Sequence, residues 1–562
     1  MIKRIMRIVL IFGCVGIFNT SLAQVPDWMW AKSAGGTAID GGKNVATDAA
    51  GNIIAIGFFE NSSITFGAIT LTSGGSYDIF VVKYDPSGNV LWAKGAGGNE
   101  DDFGEGITTD LDGNIIATGA FRSSAITFGT TTLINANPGY TDIFIVKFDS
   151  SGNVIWANSS GGTDEDGAIS VATDLSGNII TMNTFLSPLI SVGGTTLINS
   201  GIVDLFVAKY DSAGNNVWVK SAGGADSDQG CSVSVGVTGN IMATGYFRSS
   251  SITFGTTTIT NSGSPDGDIF VVKYDSSGNV LWARSAEGLN EERAYSISID
   301  KYDNSILTGY FASTVLTFNT ITLANNGSND IFVAKYDSSG NVMWANSAGG
   351  TNSEVGYSIA SVTGGNIIVT GTFSSSLISF GTSTLTNTGY GDLFVTKYDA
   401  SGNSIWAIST TGSGSEIGYG TISDSDGNVI ATGTFNNGPV TFGAISLMHT
   451  GTPGYSDFFI AKLDPDSITS VPNLQSSPFN LQLFPNPTTG TTQLTLNTKH
   501  NAPLECEIIN MMGERVFTSP LTPLQRRGET AAQLDVSFLA KGIYLVRVGE
   551  GEWFENKKLV IE

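Results

Sequence analysis

The sequence predicts an all-β protein: a seven-bladed β-propeller closed by its own N-terminal strand, followed by a small C-terminal β-sandwich domain. Three observations carry that expectation. Seven of the nine tryptophans recur at intervals of 62 or 64 residues, at Trp30, Trp92, Trp156, Trp218, Trp282, Trp344 and Trp406. Each interval holds runs of β-branched and aromatic residues separated by Asp-x-x-Gly-Asn turns, the pattern of short strands joined by hairpins. The composition agrees. Of 562 residues 70 are Gly and only 14% are charged, which is wrong for a helical bundle. A hydrophobic content of 41% is too high for a disordered chain.

Residues 1–23 read as a signal peptide. Lys3, Arg4 and Arg7 precede the apolar run Ile8 to Phe18, and Ser21-Leu22-Ala23 offers small residues for cleavage. The run is too short to cross a bilayer, and no later run is long enough for a transmembrane helix. Of the cysteines only Cys231 and Cys506 follow it, in different regions, so no disulfide framework is expected.

Residues 24–465 form the expected propeller. Each repeat carries a strand of the type Asp-Ile-Phe-Val-Val-Lys-Tyr (78–84), a tryptophan strand (89–94) and a strand Asn-Ile-Ile-Ala-Thr-Gly (114–119). A shorter segment, Gly-Ile-Thr-Thr (106–109), supplies a fourth. Gly-Asn closes twelve of the thirteen turns, Asp303-Asn304 being the exception. The leading Asp bonds the backbone ahead and Gly takes the positive φ. Every periodic Trp is followed 22 residues later by a turn Asn, whereas the connection from that Asn to the next Asp-Ile-Phe varies from 26 to 29 residues. Length variation is therefore confined to one connection, as befits a loop. Seven four-stranded units indicate a propeller. The first tryptophan strand lacks a preceding Asp-Ile-Phe strand and the last Asp-Phe-Phe strand (457–463) lacks a following tryptophan strand. Pairing the two completes the seventh blade and removes an edge. These motifs resemble the bacterial seven-bladed β-propeller repeat (SBBP) over roughly residues 27–464. The resemblance implies the fold and no shared activity.

In such a meander both Asp-x-x-Gly-Asn turns share one face, and the variable connection and Gly-Gly loops share the other. The second face is the expected binding surface. Ten residues after each periodic Trp stands an acid: Asp40, Asp102, Asp166, Asp228, Glu292, Glu354 and Glu416. This ring could cap its own loops or pair with a repeat Lys, or it could hold a cation. Calcium takes oxygen ligands, but no complete Asp-x-Asp-x-Asp-Gly loop is present, and no other cofactor is indicated. The tryptophans read as outer-strand packing between blades. His449 and His500 are the only histidines, and no Ser-His-Asp set, His-rich metal site or phosphate loop is visible.

Residues 466–478 read as a Ser- and Pro-rich linker, after which the repeat ends. Residues 479–562 carry Leu483-Phe484-Pro485-Asn486-Pro487, a block around Met512-Gly513, and Lys541-Gly542-Ile543-Tyr544-Leu545. They resemble the type A C-terminal sorting domain of the type IX secretion system. The resemblance implies export through the periplasm by that machinery, and release or attachment at the cell surface. The tail is nearly neutral, with 8 basic and 9 acidic residues, so the acidity belongs to the propeller and its linker, whose 16 basic and 41 acidic residues give −25. That charge excludes nucleic acid as a partner. The expected function is a secreted or cell-surface, non-enzymatic binding or adhesion protein for a glycan or surface protein. The alternative is a polysaccharide hydrolase or lyase using the acidic loop residues.

Overall fold

The computed structural model describes residues 26–465 except 61, 62 and 264, and, between 481 and 561, eight strands with a few connecting residues. The expected signal peptide and linker lie outside the described residues. Two compact units divide between Ile468 and Thr469.

In the first unit the pattern is set by β1 (Asp27–Ala34), β2 (Asp40–Thr47), β3 (Ile53–Glu60), β4 (Ser63–Phe66), β5 (Ile69–Thr72), β6 (Tyr77–Tyr84) and β7 (Val90–Ala96). β2, β3, β6 and β7 form a four-stranded antiparallel sheet in that order, and β4–β5 is a separate hairpin inside the variable connection. Five more sheets repeat the arrangement, their first strands beginning at Asp102, Asp166, Asp228, Glu292 and Glu354. The seventh takes three strands from Glu416–Ser423, Val429–Asn436 and Ser456–Asp464, and its fourth is β1. Ala31 lies opposite Ala461 in that antiparallel pair. The first strand of each sheet starts at the acid, four residues earlier than the segment Gly106–Thr109 suggested. Gly and acids are poor strand formers alone, but pairing with the strongly apolar second strand overrides propensity.

First strands of neighbouring sheets pack against each other all the way round, β2 against Glu416–Ser423 included. A hydrogen bond crosses each of the junctions. Thr47 Oγ1 donates to Ser423 O, Thr109 Oγ1 to Thr47 O and Thr173 Oγ1 to Thr109 O. The amides of Val233, Ile297, Ile359 and Thr421 donate to Ser170, Ser232, Ser296 and Ser358 Oγ. The result is a propeller-like array whose apolar core lies between successive sheets, as where Ile54, Ile56, Ile79 and Val81 meet Ile115, Ala117, Phe144 and Val146. Burying one such side chain contributes roughly 1.5–3 kcal/mol.

Two polar devices tie each sheet to the next. The Trp92 indole N–H and the Lys83 ammonium both donate to Ser150 O of the following sheet's turn, at 3.2 and 3.1 Å. Trp30 and Lys462 do the same to Pro86 O. Trp406 precedes the seventh sheet, where no turn joins the third and fourth strands, and its buried Nε1 has no partner among the described residues. Within a sheet, the same Lys forms a buried salt bridge with the Asp that opens the first turn. Lys83–Asp48, Lys147–Asp110, Lys209–Asp174, Lys335–Asp300 and Lys462–Asp424 lie at 2.8–3.0 Å.

The exceptional turn explains itself here. In the fourth sheet Gly236 stands where the first-turn Asp belongs, so Lys273 lacks its local partner. Asp303, from the fifth sheet's turn, reaches Lys273 Nζ at 2.5 Å and accepts from Thr238 Oγ1 and Asn240 Nδ2. It does so at φ 66°, a conformation unfavourable for Asp by comparison with Gly. A Cβ on Gly236 would sit 2.5 Å from Asp303 Oδ1, so the two departures from the repeat require each other.

The second unit contains two four-stranded antiparallel sheets, ordered Leu481–Phe484, Thr491–Leu496, Glu529–Asp535, Leu524–Arg526 and Arg515–Leu521, Leu504–Asn510, Gly542–Glu550, Trp553–Ile561. Cys506, Ile508, Val546, Val548, Leu559 and Ile561 form its core with Val536. Asn486 of the Pro-Asn-Pro motif clamps the last strand, accepting from Val560 N at 2.9 Å.

Candidate binding site

The seven ring acids share one position but not the expected setting. Each is the first residue of a first strand, and none is more than 1% exposed. The carboxylates turn into the junction with the preceding sheet and cap loops there. Asp102 Oδ2 accepts from Gly98 N at 2.8 Å and from Ser123 Oγ at 2.8 Å. Asp166 and Asp228 repeat this with Ser187 and Ser249. Gly36 N caps on Asp40, Gly350 N and Ser375 N on Glu354, and Ser313 N on Glu292.

A second buried acid faces each one across the junction, the Asp of the preceding Asp-Ile-Phe strand. Asp78 acts on Asp102, Asp142 on Asp166, Asp268 on Glu292, Asp392 on Glu416 and Asp457 on Asp40. Asp204 and Asp330 feel Asp228 and Glu354 in the same way. Burial is the main cause, and the facing charge adds to it, in pushing Asp102 and Asp166 up to about 6 and Asp40, Glu292 and Glu416 up to about 8. Asp392 lies close enough to Glu416 to raise its carboxyl further. The Gly-Gly loop follows from this packing: a Cβ on Gly97 would lie 2.1 Å from Asp78 Oδ1. Each junction brings together two carboxylates, whereas calcium takes six to eight oxygens. Among the described residues no group of three or more His, Cys, Asp or Glu side chains is placed to hold a metal. His449 is engaged with Tyr455 O at 3.0 Å, near Asp457.

One and three residues beyond each acid the first strands carry side chains that meet those of the neighbouring sheets. Three residues on stand Lys43, Glu105, Ile169, Cys231, Tyr295, Tyr357 and Tyr419. Five of them, Glu105, Lys43, Tyr419, Tyr357 and Tyr295, touch in that order. Lys43 pairs with Glu105 at 3.3 Å and lies over the Tyr419 ring. Tyr419 meets Tyr357 at 5.0 Å and Tyr357 meets Tyr295 at 5.3 Å between ring centroids. The Glu105 charge holds the Lys43 ammonium above its ordinary value. Burial pushes the Cys231 thiol up to about 12, so it is not a ready nucleophile.

One residue on, nearer the variable-loop face, stand Gly41, Phe103, Gly167, Gln229, Arg293, Val355 and Ile417. Phe103 packs with Phe58 and Tyr77 at centroid distances of 5.6 and 5.2 Å. Arg293 stacks on Tyr246 at 4.4 Å. Glu291 accepts from Arg248 at 2.5 Å, Arg293 at 2.6 Å and Tyr310 at 2.9 Å. Sequence reasoning passed over these positions. Their signal is that seven copies agree on the residues around them and disagree on them. A surface cleft of about 330 Å³ between the first two sheets holds Lys94 as its one charged lining side chain and none of these groups.

Residues 482–562 match the family of secretion system C-terminal sorting domains, which marks the chain for type IX export and a cell-surface or secreted fate. The chain is 27% identical to an uncharacterized WD repeat-containing protein of Acanthamoeba polyphaga mimivirus, over 74% of this chain and 36% of that protein. It is 25% identical to the regulatory protein FlaEY of Caulobacter vibrioides, over 32% of this chain and 20% of that one. The chain thus spans about a third or less of the length of these relatives. Among solved structures, a puromycin hydrolase superposes with a TM-score of 0.33 at 10% identity, covering 70% of this chain and 58% of that one. A tandem-repeat segment of a large adhesion protein gives a TM-score of 0.13 at 13% identity, covering 94% and 93%. Both superpositions are too weak to assign fold or activity. No helix among the described residues is long and apolar enough to cross a membrane.

Proposed function

We propose that the mature chain is a closed seven-bladed β-propeller of the SBBP type that binds a glycan or protein ligand on its variable-loop face, without catalysis, after export on a type A sorting domain. One observation carries the reading. The inner-strand positions that line the axis are where the blades differ, while the Trp, Lys and acid positions repeat. Residues with the same partners in every blade recur; residues whose partners differ from blade to blade are available for recognition. The acids that a hydrolase or lyase would need are buried under their own loops and face one another across junctions. We assign them to holding blades together, with no cofactor required.

Two measurements test this. Deleting residues 479–562 should leave the protein in the periplasm, whereas surface display of the truncation would overturn the export assignment. The purified mature chain should bind components on a glycan and cell-surface protein array without releasing product. Turnover of any bound polysaccharide would replace the binding reading with the enzymatic one.

A further inference from the structure

We infer that the face carrying the Asp-x-x-Gly-Asn turns docks a cationic amphipathic segment of another protein, its apolar side chains on Leu111, Leu175, Val237 and Tyr302 and its Lys or Arg residues against the acids around them. This surface lies opposite the variable-loop face and does not depend on what that face binds.

Four first turns carry a large apolar side chain where the fold asks for none. In the second, third and fourth sheets the residue after the turn's first position is Leu111, Leu175 and Val237, and in the fifth the next residue along is Tyr302. They are 71%, 61%, 60% and 67% exposed. The turn itself needs no apolar group there, because the first, sixth and seventh sheets have Ala49, Thr363 and Ser425 at the same place. Single exposed side chains of this size are ordinary, but a run of them on neighbouring elements marks an interaction surface. The four turns are neighbours. Thr173 Oγ1 donates to Thr109 O at 2.8 Å, two residues before Leu175 and Leu111. Thr238 Oγ1, next to Val237, donates at 3.0 Å to Asp303, next to Tyr302. The first strands that lead to Leu175 and Val237 pack on each other, and Val233 N donates to Ser170 Oγ between them.

Charge selects the occupant. The second turns of the second, third and fourth sheets open on Asp149, Asp211 and Asp275 on the same face. Hydrogen bonds from Asn153, Asn215 and Asn279, aided by the turns' own amides, hold these carboxyls below their ordinary value, so they stay charged. Asp112 adds a carboxylate beside Leu111. The repeat lysines do not offset these acids, because Lys147, Lys209 and Lys273 are buried in pairs with Asp110, Asp174 and Asp303. Lys301, over the Tyr302 ring at 5.0 Å, is the one cation on the four first turns. An anionic lipid surface would be repelled by this rim, and so would a second copy presenting the same face. A neutral apolar partner would strip water from the acids and return nothing to them. Apolar surface bordered by Lys and Arg complements both features at once.

The test is fluorescence anisotropy on the full mature chain in about 0.15 M salt with a labelled amphipathic peptide of Leu and Lys, its counterpart of Leu and Glu, and oligolysine. The Leu/Lys peptide should bind saturably and at least about tenfold more tightly than oligolysine, and the Leu/Glu peptide should not bind. Leu111→Ser combined with Leu175→Ser should weaken the Leu/Lys peptide at least about tenfold and leave oligolysine unchanged. Leu281→Ser removes a side chain 52% exposed on a fourth strand and should change neither. All three leucines are exposed, so each variant should keep the parental melting temperature, which certifies its fold. Failure of the Leu/Lys peptide to bind, equal binding of oligolysine, indifference to the double variant, or an equal loss with Leu281→Ser overturns the inference. Phosphatidylglycerol vesicles that bind the chain and lose it with the double variant would overturn it in favour of a membrane. Self-association in gel filtration that the double variant abolishes would overturn it in favour of a second copy.

Discussion

Replacing Glu416 by Gln should flatten the dependence of stability on pH. In the folded chain burial, and secondarily Asp392, push Glu416 up to about 8, while an unfolded Glu titrates near its ordinary value of about 4.3. Between those values the native state holds a proton that the unfolded state has released. Stability therefore falls as pH rises, by up to about 1.4 kcal/mol per pH unit for each such group, and levels off above the folded value. Asp40 and Glu292 act in the same sense and over the same window, and Asp102 and Asp166 add to it below about 6. The turn acids oppose this at low pH. Asp48 and Asp110, hydrogen-bonded to Asn and paired with Lys, are held below their ordinary values, so they lose stability as pH falls through the folded pKa. Maximum stability should lie near pH 4, where the unfolded carboxyls titrate. Gln at 416 keeps the shape, donates to Asp392 and needs no proton. The variant should therefore lose about 1.4 kcal/mol per pH unit of slope between pH 5 and 8. Urea unfolding followed by tryptophan fluorescence suits the measurement, because eight of the nine tryptophans lie in the propeller and β1. A wild-type stability that rises from pH 5 to 8, or a variant with the parental slope, would refute the paired-acid account.

Two further outcomes are expected. Asp303→Gly strands the buried Lys273 ammonium and should destabilise by about 2–4 kcal/mol, the loss of a buried pair less the relief of positive φ. Adding Gly236→Asp should recover most of it, since the fourth sheet then matches the other five, and a double-mutant cycle that shows simple additivity would contradict the exchange. Removing residues 27–34 deletes β1, leaving Ser456–Asp464 as a bare edge and Pro86 O without its Trp30 donor. That chain should associate in gel filtration and melt lower; a monomer with the parental melting temperature would count against closure by β1.

The strands, turns and closing pair were legible because each is announced locally. Trp30 and Trp406 mark the ends of a count, Gly-Asn marks a positive φ, and the absence of a partner at each end of the array points to the other. The acid ring was legible as a position and not as an environment. Spacing places Asp102 ten residues after Trp92, but only the loop holding Ser123 and the neighbouring Asp78 decide that its carboxylate is buried. Those contacts come from 21 residues away and from the preceding sheet. The same limit hid the swap at Gly236 and Asp303. As sequence, both look like lapses in a motif. As structure they are one interaction whose carboxylate has moved to the neighbouring sheet.

The axial residues were missed for a different reason, and that reason bears on function. A repeat is found by looking for what recurs, so attention goes to residues that seven equivalent junctions constrain. Lys83, Trp92 and Asp102 recur because each meets the same partners in every sheet. At the axis no such equivalence holds. Seven side chains come round one ring, and seven like charges there would repel, although three tyrosines in a row, Tyr295, Tyr357 and Tyr419, pack ring on ring. Lys43 can sit at the axis because Glu105 and Tyr419 beside it differ from it. Arg293 can do so because its neighbours in that layer are Gln229 and Val355. Heterogeneity is thus tolerated at these positions, and it distributes charge and aromatic surface unequally round the ring. The repeat builds the frame, and the breaks in the repeat polarise its mouth.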